Sequence, residues 1–352
     1  MRQERVRPAT VANYARCVLD RVRIVRSAFP LTLSVRLPFL DIRVHLEEGR
    51  LAKAIRRNLV QEAGQAPRPN AQPMEIFVAH LGMEGVPPPT PWADEPYRPH
   101  EIASLFDLEG LRGSYFHDLD HWQIFDLVGD FGVQLMRGPD AYPPWEPGAP
   151  LRHFLHWHYA HEGMRLAHCG TLGLNGAGVL LAGPGGAGKS GTVVAGLLNG
   201  LQSIGDDYVL LDSSEDVIGY PVFATLKQDQ AGFERLGLTN RLPAAGPLNW
   251  QGKYEFRLAD VGCAPTPARL SMKALLVPRV GTEGKTRIEP ISRRDAMLAF
   301  APSSIQQMPG ERESGFAFFS RVARRLPCYT LSLGREPAEI AAAIAEFVGK
   351  AA

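Results

Sequence analysis

The sequence predicts an α/β protein with a mixed sheet, preceded by a smaller α+β domain. An apolar run at 178–182, short enough for a buried strand, leads into a glycine-rich loop, and a helical pattern follows over 192–201. The region beyond Asp207 is strand-rich, with short strand-like runs at 208–211, 220–226, 254–258, 274–278 and 328–333, and one amphipathic helix over 337–348 closes the chain. A Pro/Gly-rich segment at 138–150 separates the two parts, so we predict domains at 1–150 and 151–352.

Composition limits the classes of protein to which the chain can belong. Its 352 residues suffice for one large or two ordinary domains, and 38 Lys and Arg balance 37 Asp and Glu. This balance gives no general attraction to nucleic acid or to an anionic membrane, and we expect neither as a partner. No run approaches the roughly 18 apolar residues of a membrane helix. Irregular cysteine spacing is typical of reduced thiols in a cytoplasmic protein, and the cysteines are Cys17, Cys169, Cys263 and Cys328.

The N-terminal domain is expected to combine helices, strand-like segments and proline-rich connections. Apolar residues recur at helical spacing within the arginine-rich segment 1–26. A docked surface helix is the simplest interpretation, with a targeting peptide or an anion-binding arm as alternatives. Alternating apolar residues predict a hairpin over 32–47, followed by a helix over 51–63. Further strands are predicted at 74–81, 122–127 and 132–136.

Residues 183–190 form a complete G-x-x-x-x-G-K-[ST] motif, the P-loop, between the strand and the helix that this motif requires. The backbone N–H groups of a P-loop wrap a phosphate, and the helix N-terminus adds partial positive charge. A glycine-rich turn that binds nothing is the alternative. We predict that ATP and Mg²⁺ bind here. The residues expected to contact the nucleotide are Gly183, Pro184, Gly185, Gly186, Ala187, Gly188, Lys189, Ser190 and Gly191.

Two adjacent carboxylates, Asp206 and Asp207, follow the P-loop helix. They precede an apolar strand-like run, whereas the metal-binding aspartate of ordinary P-loop NTPases ends such a strand. Beside a nucleotide, one of two carboxylates can hold Mg²⁺ while the other accepts a proton from the attacking hydroxyl. A solvated turn in front of a strand is the alternative. The short distance along the chain from the P-loop helix favours the functional interpretation.

With a P-loop and an Asp-Asp pair one helix apart, the sequence resembles the HPr kinase family and its relatives in the phosphoenolpyruvate carboxykinase-like fold. Those proteins also carry a histidine 15 residues before the first P-loop glycine, and His168 stands at this position. Other segments look like parts of HPr-kinase-related proteins from biosynthetic clusters, including the lasso-peptide-tailoring kinases. These segments are 219–227, 275–279, 301–304 and 326–335. The resemblance covers roughly residues 150 to 350.

The resemblance implies a kinase-type active site with a defined role for each residue. Ser190 and Asp206 would hold Mg²⁺, and Lys189 would stabilise charge on the β- and γ-phosphates. Asp207 would accept the proton of the acceptor hydroxyl, with His168 assisting its orientation or its proton affinity. For His168, a satisfied structural histidine is the alternative.

The chain also departs from the HPr kinase pattern. True HPr kinases place an acidic residue directly after the P-loop serine, where this chain has Gly191 followed by Thr192. The C-terminal signature linked with their phosphorylase activity is not apparent. We therefore expect neither HPr as the substrate nor the reverse phosphorylase reaction.

Several other polar residues have both a functional and a structural interpretation. Lys227, Lys253 and Arg279 are candidates for contact with phosphate or substrate, and a solvated surface position is the alternative for each. The histidines within 117–121 and 153–161 could be taken for zinc ligands. A polar hairpin turn explains the first group, and the second would point in several directions around a helix.

Three functions remain open from the sequence. The first is an ATP-dependent kinase for a serine hydroxyl of a peptide or protein, with a ribosomally made (lasso) peptide as the expected class of acceptor. Its N-terminal domain would recognise the substrate. The second is a nucleotide-binding regulator or ATPase without a phosphoryl acceptor, and the third is a kinase for free serine. No N-K-x-D motif occurs, which disfavours a GTPase. We expect a cytoplasmic protein and leave a homo-oligomer open.

Overall fold

The computed structural model describes residues 8–60, 72–86, 99–107, 110–242, 246–262, 264–281, 284–310 and 312–351. The end of the helix predicted over 51–63, the N-terminal seven residues and Cys263 therefore lie outside the described residues. The chain divides into two compact units. The first comprises Met1–Arg57, Ala66–Glu162 and Met308–Glu311, and the second comprises Asn58–Gln65, Gly163–Gln307 and Arg312–Ala352.

The first unit is built on a six-stranded mixed sheet in the order β1-β2-β3-β6-β5-β4. Strands β2, β3 and β6 run parallel, and the other neighbours are antiparallel. Its elements in chain order are α1 (Pro8–Ile24), β1 (Leu31–Leu37), β2 (Leu40–Leu46), α2 (Arg50–Asn58), β3 (Met74–His80), α3 (Pro99–Asp107), β4 (Leu111–Phe116), β5 (His121–Asp126), β6 (Phe131–Met136) and α4 (Arg152–His161).

The core of this unit follows from the apolar periodicity of α1. Val11, Val18 and Val22 are fully buried with side chains of α3 and of the sheet, so the arginines of α1 lie on its other sides. Phe154 of α4 packs edge-on against Phe125 of β5. The predicted hairpin over 32–47 is confirmed as β1 and β2, which pair from Leu31↔Leu46 to Leu37↔Leu40.

The second unit contains the P-loop within a larger mixed sheet. Its elements in chain order are β7 (Arg165–Ala167), β8 (Gly170–Leu174), β9 (Ala177–Leu181), α5 (Lys189–Leu198), β10 (Val209–Asp212), β11 (Ile218–Tyr220), β12 (Thr225–Asp229), α6 (Gln230–Arg235), α7 (Leu238–Arg241), β13 (Lys253–Arg257), α8 (Leu258–Val261), β14 (Leu270–Val280), β15 (Arg287–Pro290), α9 (Arg293–Gln306), α10 (Arg312–Arg325), β16 (Cys328–Leu333) and α11 (Pro337–Ala351).

Helices cover both faces of this sheet. Strands β9, β14 and β16 run parallel at its centre, while β8, β11, β10, β7 and β15 join it through antiparallel pairs. Along β9, Val179 and Leu181 pack with side chains of α5 and α11, whereas Leu180 packs with side chains of α9 and α10. This alternation is what a strand buried on both faces requires. Strands β12 and β13 form a separate two-stranded sheet.

The α/β class with a mixed parallel and antiparallel sheet is confirmed, and two details of the prediction are wrong. A single strand was expected over 220–226, but β11 ends at Tyr220 and β12 begins at Thr225. The region after Asp207 was expected to be strand-rich up to the closing helix, yet α9 and α10 lie within it. Pro302 inside α9 concealed that helix, because an internal proline removes a backbone donor and usually ends a helix.

Candidate active site

The P-loop joins the end of β9 to the first residue of α5. Gly186 and Gly188 have positive φ angles of 80° and 98°, in the left-handed region that favours glycine. A Cβ atom on Gly188 would also lie 2.5 Å from Cδ1 of Leu333, too close for any other residue without movement. The loop therefore needs these glycines for its path, and that path ends at a helix N-terminus, where anions are stabilised.

Lys189 is buried and folds back over the loop that precedes it. Its Nζ atom donates to the carbonyl oxygen of Gly183 at 2.6 Å and to that of Pro184 at 3.2 Å. Burial lowers the pKa of Lys189, while the charges of Asp206 and Asp207 act in the opposite direction. The ammonium group is thus held at the loop by backbone oxygens, with both carboxylates close enough to influence it.

Asp206 is only 3% exposed, and its Oδ1 atom has no hydrogen-bond partner among the described residues. Burial, together with the charge of Asp207, raises the pKa of Asp206 to about 6, although Ser190 and Lys189 oppose this shift. A buried carboxylate without enough partners is costly, and a bound cation would remove the cost. Carboxylate and hydroxyl oxygens are ligands that Mg²⁺ prefers, so Asp206 and the neighbouring Ser190 fit the predicted magnesium site.

Asp207, in contrast, has a basic partner on each carboxylate oxygen. Its Oδ1 atom lies 3.1 Å from Nε2 of His168, and its Oδ2 atom accepts from Nζ of Lys227 at 2.8 Å. Burial alone would raise the pKa of Asp207, but Lys227 and His168 lower it well below the ordinary value. Asp207 is therefore ionised at neutral pH and fixed in orientation, with about a quarter of its side chain (26%) exposed.

His168 lies between β7 and β8, outside both strands. Its backbone N–H donates to the hydroxyl oxygen of Ser304, and its Nδ1 atom lies 3.4 Å from Nε2 of Gln307. Tyr208 in turn donates its hydroxyl hydrogen to Oε1 of Gln307. Sequence reasoning missed Gln307 and Tyr208; the only signal near Gln307 was the 301–304 segment, singled out for the resemblance.

The three basic candidates have different positions. Lys227, on β12, belongs to the acidic pair through Asp207, and this partner raises its pKa despite burial. Lys253, on β13, is near enough to the P-loop for its charge to help lower the pKa of Lys189. Arg279 is exposed near the end of β14, and no contact in the described part of the chain links it to the acidic pair. The structure thus brings Lys227 into the site and places Lys253 near it, whereas for Arg279 it shows no contact with the acidic pair among the described residues.

Arg235, a basic residue that the sequence analysis missed, lies beside Gly191. A Cβ atom on Gly191 would have Nη2 of Arg235 at 3.7 Å and Oε1 of Gln228 at 4.0 Å. Arg235 is exposed on α6, whereas Oε1 of Gln228 is buried without a hydrogen-bond partner among the described residues. The first turn of α5 therefore faces a guanidinium and an amide at the position where HPr kinases have an acidic side chain.

Two histidines of α4, His153 and His158, make hydrogen-bond contacts within the first unit. Residues His117–Leu119 form the short turn that joins β4 to β5, as predicted. On α4, Nδ1 of His153 contacts Oε1 of Gln123, while Nδ1 of His158 contacts Asp130. His153 thus contacts strand β5, whereas His158 contacts the turn between β5 and β6. No group of three or more potential metal ligands of the His, Cys, Asp or Glu type occurs within the described residues.

No model of a known protein family matches the sequence, and no curated protein matches it either. In the described part of the chain, no helix is long and apolar enough to cross a membrane.

Proposed function

We propose that the protein is an ATP-dependent kinase of the HPr kinase type that phosphorylates a serine hydroxyl of a peptide or protein. One observation carries the proposal. Two adjacent carboxylates, with opposite shifts of their pKa values, lie close to the P-loop lysine. Titratable neighbours whose environments drive their pKa values apart are typical of sites where the two groups have different tasks.

The first task is to hold the phosphates and the metal. Backbone N–H groups of the P-loop and the ammonium group of Lys189 would bind the phosphates of ATP, and Ser190 with Asp206 would hold Mg²⁺. When bound, Mg²⁺ and ATP supply charge neutralisation and the phosphoryl group that is transferred. The unpartnered Oδ1 atom of Asp206 supports this assignment, because its ionisation is unfavourable until a cation is present.

The second task is to accept a proton from the acceptor hydroxyl, and we assign it to Asp207. A carboxylate oxygen can accept more than one hydrogen bond, so Oδ2 can take a substrate hydroxyl while Lys227 remains bound. Lys227 and His168 keep Asp207 ionised and oriented. They also lower its proton affinity, which suits a loose transition state in which the hydroxyl proton leaves late.

The acceptor is proposed to be an extended peptide that binds to the first unit. Strand β1 forms one edge of its sheet, and among the described residues only β2 pairs with it. In an antiparallel pair, residues whose backbone bonds to the partner strand alternate with residues whose backbone faces away. The hairpin closes at the hydrogen-bonded pair Leu37↔Leu40, so the backbone N–H and C=O of Ser34, three residues earlier, face away from β2. An exposed edge of this kind can add a peptide strand by backbone pairing.

Transfer of labelled γ-phosphate tests the proposal. The full-length protein would be incubated with Mg²⁺ and labelled ATP, in parallel with a peptide encoded in the same gene cluster, with free serine, or with no acceptor. Label on the peptide serine, located by mass spectrometry, is the expected result. Label on free serine alone would favour the small-molecule kinase. Release of phosphate without any labelled acceptor would favour an ATPase or switch.

Substitution of Ser34 tests the role of the β1 edge. Ser34→Pro removes an outward backbone donor, and edge strands tolerate proline where the N–H faces solvent. The loss of one hydrogen bond of about 1 kcal/mol predicts an increase of roughly fivefold in the peptide KM, without a change in the KM for ATP. Ser34→Ala is the matched control, because it keeps the donor. Equal peptide KM values for both variants would exclude this edge as the docking site.

A further inference from the structure

We propose that Gln307 is a positioning residue that fixes His168 in the tautomer with its proton on Nε2, so that Asp207 always receives a hydrogen bond on Oδ1. The role of Asp207 in this inference depends on the proposed kinase function. The tautomer itself does not, and it can be measured in the protein without any substrate. Nothing in the sequence pattern around Gln307 indicated such a role.

Consecutive contacts from Tyr208 through Gln307 and His168 to Asp207 support the inference. The Tyr208 hydroxyl donates to Oε1 of Gln307, and Nε2 of Gln307 lies 3.4 Å from Nδ1 of His168. At the other side of the imidazole ring, Nε2 lies 3.1 Å from Oδ1 of Asp207. Both ring nitrogens therefore have a protein partner. Because each ring nitrogen is bonded to a protein group that holds the ring in place, we assign His168 to orientation.

The chemistry of the partners selects the tautomer. An ionised carboxylate only accepts hydrogen bonds, so Nε2 of His168 must carry a hydrogen to bond Asp207. In a neutral imidazole Nδ1 is then an acceptor, and it requires a donor. The amide nitrogen of Gln307 is that donor, and its amide oxygen is left to accept from Tyr208. The opposite orientation of the amide would present an oxygen to Nδ1 and would select a doubly protonated ring.

The backbone supports the same arrangement. His168 follows the short strand β7, and its N–H donates to the side chain of Ser304 on α9, one turn before Gln307, the C-cap residue of this helix. Ser304 is itself held, since its hydroxyl donates to the carbonyl oxygen of Phe300. The end of α9 therefore holds both the main chain and the ring of His168. This double attachment limits rotation of the ring, which would otherwise separate Nε2 from Asp207.

The test is ¹⁵N NMR of the histidine side chains in the full-length protein without nucleotide, near pH 7.5, with His168 assigned by its loss in His168→Asn. The expected pattern in the wild type is a hydrogen on Nε2 and an Nδ1 atom that accepts a hydrogen bond. Gln307→Glu offers only acceptor oxygens, so a hydrogen should appear on Nδ1. Gln306→Glu, the same change at the exposed preceding residue, should leave the pattern unchanged. A hydrogen on Nδ1 of the wild-type ring, or no response to Gln307→Glu, would overturn the inference.

Kinetics then separate this inference from the proposed function. In Gln307→Glu, kcat for transfer to the peptide should fall roughly 10- to 100-fold at nearly constant KM for ATP, because a second hydrogen on the His168 ring makes it a cation that weakens Asp207 as a proton acceptor. Gln307→Met removes the donor without adding an acceptor, and a smaller fall in kcat is expected. Unchanged kcat in both variants would refute a role in transfer. If the NMR pattern is as expected but no acceptor is phosphorylated, the proposed function fails and the tautomer assignment stands.

Discussion

Replacement of Asp206 by Asn is expected to stabilise the metal-free protein while it abolishes the response to Mg²⁺. The carboxyl group is 3% exposed, and its pKa is raised from 3.8 to about 6. At about 1.4 kcal/mol for each pH unit, this difference is equivalent to about 3 kcal/mol of stability lost at neutral pH. The amide of Asn needs partners of its own, so the expected net gain is smaller, about 1–2 kcal/mol.

The difference in stability between Asp206→Asn and the wild type should depend on pH. Because the folded protein holds the proton of Asp206 more tightly than the unfolded chain does, its stability falls as pH rises from about 4 to about 6 and is constant above. The advantage of Asp206→Asn should therefore be largest at pH 8 and should disappear near pH 4, where the carboxyl group is protonated in both states. Excess Mg²⁺ should stabilise the wild type and have little effect on the variant.

Urea unfolding followed by circular dichroism, in the presence of EDTA at pH 8 and pH 4, measures the effect. Asp216→Asn is a suitable control, since it makes the same chemical change at an exposed position in the turn after β10. A variant that is less stable than the wild type at pH 8, or equally stabilised at both pH values, would refute the idea that Asp206 carries an uncompensated buried charge.

Three further changes address the division of tasks in the site. Lys189→Met should abolish ATP turnover without lowering the free energy of unfolding. Burial lowers the pKa of this lysine, so its charge is costly in the folded protein. ATP turnover and urea unfolding would be measured on the same variant. Asp207→Asn should keep Mg-ATP binding in calorimetry yet slow labelled-phosphate transfer by roughly 10²- to 10⁴-fold, the usual contribution of a general base. The Mg²⁺ concentration for half-maximal activity should rise as pH falls below about 6, because protons compete for Asp206, and titrations at pH 7.5 and 5.5 would show this.

Each of these expectations has an outcome that contradicts it. Turnover at the wild-type rate in Lys189→Met would remove the basis of the P-loop assignment. Equal loss of ATP binding in Asp206→Asn and Asp207→Asn would mean that the two carboxylates do not have separate tasks. A magnesium requirement that is the same at both pH values would show that Asp206 is not a ligand.

The local part of the site could be predicted from the sequence, because its residues are fixed by short-range geometry. The P-loop motif specifies its own strand and helix, and α5 is short enough for the chain to return with Asp206 to the same end of the sheet. Lys227 was identified as a basic candidate, but its pairing with Asp207 was not foreseen. Spacing along the chain does not reveal which of several cations reaches a given carboxylate.

The contacts made by α9 could not be predicted, because they join residues far apart in the chain. His168 and Gln307 are 139 positions apart, and local periodicity contains no information on such a pair. Pro302 also disguised the helix that ends directly before Gln307. The segment 301–304 was noted only for its resemblance to other sequences, and the structure adds a physical reason for interest in it, namely the hydrogen bond between Ser304 and His168.

The pairing of β9 also determines when the P-loop can take its final form during synthesis. On one side β9 pairs with β8, to which it is joined by a tight turn at Asn175 and Gly176. On the other side its partner is β14, where Ala177 pairs with Ser271, roughly a hundred positions later. A nascent chain that has been synthesised as far as α5 therefore contains the whole P-loop motif, but β9 has only one of its two neighbouring strands. Until β14 has left the ribosome, one edge of β9 has unpaired backbone N–H and C=O groups, and such an edge can pair with a wrong strand.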